Sequence, residues 1–203
     1  MNDLLDSLTA IAAVMTPWEA VAVVLAVAYL FLAIEQNIWC WASAFASTSI
    51  YLVLMYRAHL YMESALQVFY LGMAVYGWYE WRHGPGASHA LPVSRWSPVR
   101  HAGAICGVLS ATLVSGWLLQ QFSSAALPYF DSFTTWGAMI ATFMVARKIL
   151  ENWLYWFVID SVSIGLYISR DLYLTALLFA GYLVLIVIGY RSWRRDMREQ
   201  QPS

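Results

Sequence analysis

Seven stretches of about 20 mostly apolar residues follow one another along this chain, at approximately 17–35, 37–56, 60–81, 102–121, 128–146, 152–169 and 172–192. Coiled at about 1.5 Å per residue, a run of that length matches the hydrocarbon thickness of a bilayer. Lipid offers no hydrogen bonds, so a spanning segment must satisfy its own backbone and therefore coils as a helix. The expected fold is an all-α membrane protein, one transmembrane domain of seven helices over residues 1–203. Only 11% of the residues are charged, against about 25% in soluble domains. The net charge of −1 gives no bias toward nucleic acid. The opening "MNDLLDSLTA" lacks a basic n-region, so no cleaved signal peptide is expected. Cys40 and Cys106 lie in apolar segments and read as packing residues.

Basic residues orient the seven spans. Arg57 and Arg170 fall on one side with the N-terminus. Arg82, Arg95, Arg100, Arg147, Lys148, Arg191, Arg194, Arg195 and Arg198 fall on the other. Nine against two places the N-terminus outside and the C-terminus in the cytoplasm. The only long hydrophilic connection is "RHGPGASHALPVSRWSPVRH", 82 to 101, whose Gly, Pro and Ser content marks a loop.

The chain also resembles itself. Asn37…Trp41 matches Asn152…Trp156, Leu60-Tyr61 matches Leu172-Tyr173, and Gly77…Trp81 matches Gly189…Trp193. The first match has an offset of 115 and the later ones 112, so a three-residue indel is expected between them. Residues 17–81 then form one three-helix repeat and 128–192 the second, with 102–121 as a linker helix that keeps both copies parallel. Such 3+1+3 repeats suit a transporter, with a site between the copies near mid-membrane.

Chemistry concentrates on the sixth span. Trp153, Trp156, Asp160, Ser163 and Tyr167 recur at helical spacing and form one stripe. A carboxylate at that depth costs about 2.5–3.5 kcal/mol on insertion scales, so it needs a cavity, a partner or a bound cation. The two indoles suit a flat cationic ring, each face being worth about 0.5–2 kcal/mol. The competing reading is an inter-helix Asp satisfied by Ser and Tyr hydroxyls. On the third span, Glu63, Gln67 and Tyr70 share a face, and Gln67 can read hydroxyls or an amide. Trp81 and Trp193 read as an interfacial belt. Asn37, Asn152 and Asp131 read as helix caps. No nucleotide loop, zinc-protease or serine-hydrolase motif is present, and the single lysine, Lys148, is not in the last span where a retinal Schiff base would need one. No metal or cofactor is expected.

"LQVFYLGMAVYGWYEW" and "ARKILENWLYWFVIDSVS" resemble the signature stretches of PnuC-type vitamin transporters, mostly nicotinamide riboside transporters of bacterial inner membranes. The resemblance implies a SWEET-like fold, a homotrimer, facilitated diffusion and a functional link to a cytoplasmic vitamin kinase that traps the substrate. It associates Trp153 and Trp156 with the substrate site and matches Gln67 to the family's third-span glutamine. Members carry Asn where this chain has Asp160, which bears on the substrate. The expected function is inner-membrane passage of a cationic vitamin, nicotinamide riboside first and thiamine second. Trp153, Trp156, Asp160 and Gln67 are the expected contacts, supported by Asn152 and Tyr167. A membrane enzyme using Asp160 as acid or base, and a ligand-binding sensor, are the rivals of other classes.

Overall fold

A computed structural model of the chain describes residues 16–57, 59, 61–84, 91–123, 127–169 and 173–200, apart from the side chains of 61–63 and 174. Leu60, His89, Arg170, Leu172 and the Glu63 side chain lie outside the described residues. Among those described, seven helices follow in order: α1 Pro17–Ile34, α2 Trp39–Arg57, α3 Tyr61–His83, α4 Pro98–Phe122, α5 Pro128–Ala146, α6 Asn152–Ile168 and α7 Tyr173–Glu199. By length and composition alone, Pro17–Ile34, Pro98–Phe122 and Thr175–Glu199 are apolar enough to cross a membrane.

Local chemistry fixes the ends. Thr16 and Glu19 form a reciprocal capping box ahead of α1, with Pro17 in its first turn. Ser97 caps α4 and Pro98 follows, so α4 begins four residues before the apolar run at 102. α7 continues past the expected 192 to Glu199. Hydropathy marks only the part of a helix in lipid, and the polar last turns need no apolar face.

The chain forms two compact units, Met1–Tyr79 and Glu80–Ser203. In the first, α1 ends in a Schellman turn. Gln36 takes φ 54. Its N–H donates to Ala33 O at 3.1 Å, and Asn37 N–H to Leu32 O at 2.8 Å. Two carbonyls orphaned at the helix end are thereby satisfied. Ser47 Oγ donates to Ala22 O at 2.8 Å. Trp41, buried, lies over Gly77, where any Cβ would collide with its indole.

In the second unit the same turn closes α5. Lys148 takes φ 48. Its N–H donates to Val145 O at 3.0 Å, and Ile149 N–H to Met144 O at 2.9 Å. Trp153 lies over Gly189 as Trp41 lies over Gly77. All these pairs share one offset, 112, from Gln36 to Lys148, Trp41 to Trp153 and Gly77 to Gly189. The expected three-residue indel is therefore wrong. The structural counterpart of Trp41 is Trp153, not Trp156. The Asn-x-x-x-Trp likeness misled because an asparagine near a helix start recurs for unrelated reasons.

Residues after Gly84 rejoin the described chain at Leu91, buried like Val93. Ser94 pairs in parallel with Ile149 as an isolated bridge. Its N–H donates to Lys148 O at 3.0 Å, and Leu150 N–H to Ser94 O at 2.8 Å. Val93 N–H also donates to Gln200 Oε1 at 3.2 Å. The described part of the hydrophilic connection is thus a strap across the α5–α6 turn.

Candidate functional site

The Schellman turn sets the phase of α6. Asn152, Trp153, Ile159, Asp160, Ser163 and Leu166 face inward. Leu154, Phe157, Val158 and Ile168 are exposed, as lipid-facing side chains should be. α5 comes close on the inward face, since a Cβ on Gly137 would stand 3.0 Å from Ile159.

The start of α6 is an aromatic block. Trp153, 2% exposed, meets Trp193 edge-on at 5.5 Å and 89°. Trp193, 0% exposed, meets Trp81 at 6.2 Å. Trp81 Nε1 donates to Val145 O at 3.3 Å, and Lys148 Nζ stands 4.5 Å from its ring centre. Arg147 bonds Glu80 at 3.0 Å. Trp81 and Trp193 are core residues, not an interfacial belt. Their rings pack against Trp153, which itself fills the space that Gly189 leaves open.

Asn152 is fully buried, and its Nδ2 donates to Ile149 O at 2.7 Å. It braces the turn and caps nothing; α6 has no side-chain cap. Asn37 does accept at its helix start, from Trp39 N–H at 3.0 Å. Asp131 lies in the first turn of α5, after Pro128, and suits the positive end of the helix dipole without capping it.

Asp160 is 6% exposed. Among the described residues none donates a hydrogen bond or ion pair to it, and neither Ser163 nor Tyr167 satisfies it. Trp156, one turn earlier, is half-buried with no ring partner among the described residues. Tyr167, two turns later, packs on Phe179 at 5.0 Å. The stripe thus separates into two parts. Asn152 and Trp153 pack into the core, though Asn152 Oδ1 and Trp153 Nε1 have no hydrogen-bond partner among the described residues, while Trp156 and Asp160 are not engaged by ring or hydrogen-bond partners among them. Gln67 belongs to the first unit, on α3. It is half-buried, three residues from Ser64, whose Oγ donates to Leu52 O at 3.2 Å. Cys40 is buried and Cys106 exposed, and neither is in a disulfide.

Glu151 escaped the sequence reading. Its carboxylate lies 3.5 Å from Arg95 Nε and 3.8 Å from His101 Nε2, and it accepts from Trp96 N–H at 3.4 Å. His101 Nδ1 and Tyr155 Oη are 3.0 Å apart. The only hint was a carboxylate beside the Asn-Trp pair.

Residues 16–195 match the nicotinamide mononucleotide transporter family. The chain belongs to that family. The Nicotinamide riboside transporter PnuC of Escherichia coli (strain K12) is 24% identical over 207 residues, covering 90% of this chain and 87% of the relative. The Riboflavin/roseoflavin transporter RibM of Streptomyces davaonensis is 26% identical over 187 residues, covering 89% and 87%. A solved structure titled "Crystal structure of the Vitamin B3 transporter PnuC" superposes with a TM-score of 0.72 at 19% identity, covering 96% of this chain and 89% of that one. The protein is a multi-pass membrane transporter of the vitamin class. The membrane-enzyme reading of Asp160 falls with that finding.

Proposed function

We propose that this protein carries nicotinamide riboside, a vitamin with a cationic aromatic ring, down its gradient across the bacterial inner membrane. Asp160 carries the reading: a buried carboxylate with no donor among the described residues, one turn from the Trp156 indole, suits a positive ring. Trp156 and Asp160 hold that ring, Tyr167, Asn152 and Trp153 support the stripe, and Gln67 on α3 serves as a contact for polar groups. The PnuC relative favours the same substrate. Repeated turns and Trp–Gly notches support a SWEET-like 3+1+3 plan of parallel halves, 17–81 and 128–192, linked by α4. In this reading the N-terminus is outside and the C-terminus cytoplasmic, the assembly is a homotrimer, and a cytoplasmic kinase traps the substrate.

The RibM relative favours a second reading, riboflavin, whose ring system is neutral. Thiamine, also cationic, suits Asp160, but neither relative above is named for it. Uptake of labelled nicotinamide riboside by proteoliposomes, with riboflavin and thiamine as competitors, separates the three. Uptake of riboflavin alone would overturn the cation reading.

A further inference from the structure

α7 has one face built in two chemistries. Leu177, Val184, Val187 and Ile188 are exposed along its apolar length. At the same helical phase, Arg191, Arg194, Arg195 and Arg198 continue the stripe, spaced by three, one and three residues. All four arginines are exposed. With Glu199 they line a concavity of about 490 Å³.

The opposite face holds this stripe outward. Ile186, Gly189 and Trp193 are buried there, and Gln200 bonds the strap at Val93. α7 has 27 residues, roughly 40 Å at 1.5 Å per residue, against a hydrocarbon core of about 30 Å. The excess of roughly two turns is the part that carries the arginines, at headgroup depth. Arg195 makes one exposed contact with Asp196 at 3.7 Å. Arg191, Arg194 and Arg198 have no carboxylate partner among the described residues.

We propose that this face binds an anionic glycerophospholipid, with an acyl chain along Leu177–Ile188 and the phosphate among Arg191, Arg194 and Arg198. Guanidinium forks match phosphate oxygens in pairs. The continuous apolar track is what selects a lipid over free phosphate, which would use only the arginines.

The test is a titration of the detergent-purified full chain, read by thermal melting and by native mass spectrometry. The probes are phosphatidylglycerol, phosphatidylcholine with the same chains, and inorganic phosphate. Phosphatidylglycerol should raise the melting temperature and remain bound, and the other two should not. Arg194→Gln/Arg198→Gln should weaken phosphatidylglycerol roughly tenfold or more, since two basic residues beside an anionic headgroup together account for more than one decade of attraction. Arg191→Gln/Arg194→Gln is the second variant should the first not fold, judged by its melt without lipid. Equal response to both lipids overturns the headgroup site. An equal response to inorganic phosphate overturns the lipid, and unchanged lipid affinity in a folded variant overturns the arginines.

Discussion

Adding one methyl group at Gly189 tests how far the Trp153 notch holds the second unit together. A Cβ there would stand 2.5 Å, 2.6 Å and 2.7 Å from three ring atoms of Trp153. Carbon atoms pack best at about 3.5–4.0 Å, so the ring must retreat by roughly 1 Å. It has little room, because Trp193 stands against it edge-on and both rings are buried. Overpacking of this kind costs about 1–3 kcal/mol. Alanine gains back about 0.8–1 kcal/mol of helix propensity over glycine. The net is a loss of up to about 2 kcal/mol, which lowers the melting temperature by up to roughly 8 °C for a chain of this size. Gly181→Ala, on the same helix with open space around its Cβ, is the control and should be neutral or stabilising. Combining Gly189→Ala with Trp153→Phe should cost less than the two single losses together, because the smaller ring clears the methyl. If Gly189→Ala melts with or above Gly181→Ala, the notch is loose and the packing argument fails.

Asp160→Asn should weaken a cationic vitamin at least about tenfold, or 1.4 kcal/mol, and a neutral analogue of similar shape much less; equal loss for both in a binding titration would make Asp160 structural. Trp156→Phe should cost less than Asp160→Asn in the same titration, since a phenyl face keeps part of the cation attraction. Glu151→Gln removes the charge facing Arg95 and His101 and should destabilise by about 1 kcal/mol, with faster amide exchange over 91–97 than in the parent; unchanged exchange would free the strap from Glu151. A reporter fused to the C-terminus should be active only in the cytoplasm, and periplasmic activity would reverse the orientation.

The helices were legible because lipid imposes a blunt code: an apolar run of the right length has few alternatives. α5 starts at the expected residue, Pro128, and α6 at Asn152. The early start of α4 was written in Ser97-Pro98, a cap signal that hydropathy does not weigh. The likeness between the two segments was visible but read at the wrong offset, since the features that match in the structure are a left-handed turn residue and a glycine facing an indole. Gln36 and Lys148 share no side-chain chemistry, so nothing in their letters marks a common backbone. The stripe on α6 was legible as a stripe. Which members pack and which stay available depended on Gly189, 36 residues beyond Trp153. Long-range complementarity of that kind is not periodic and leaves no local trace.

The bridge between Ser94 and Ile149 has a consequence for the order of assembly. It joins chain segments about 55 residues apart, and closing such a loop from a free coil would cost on the order of 3–4 kcal/mol in entropy. α4 and α5 lie within that loop and pack on each other, so their insertion pays the closure in advance. During synthesis the strap waits for residues 148–150 to emerge, and its two hydrogen bonds are made only after the α4–α5 hairpin is laid down. Amide protection at Ser94 and Leu150 would therefore report completion of the hairpin, as a latch reports a closed door.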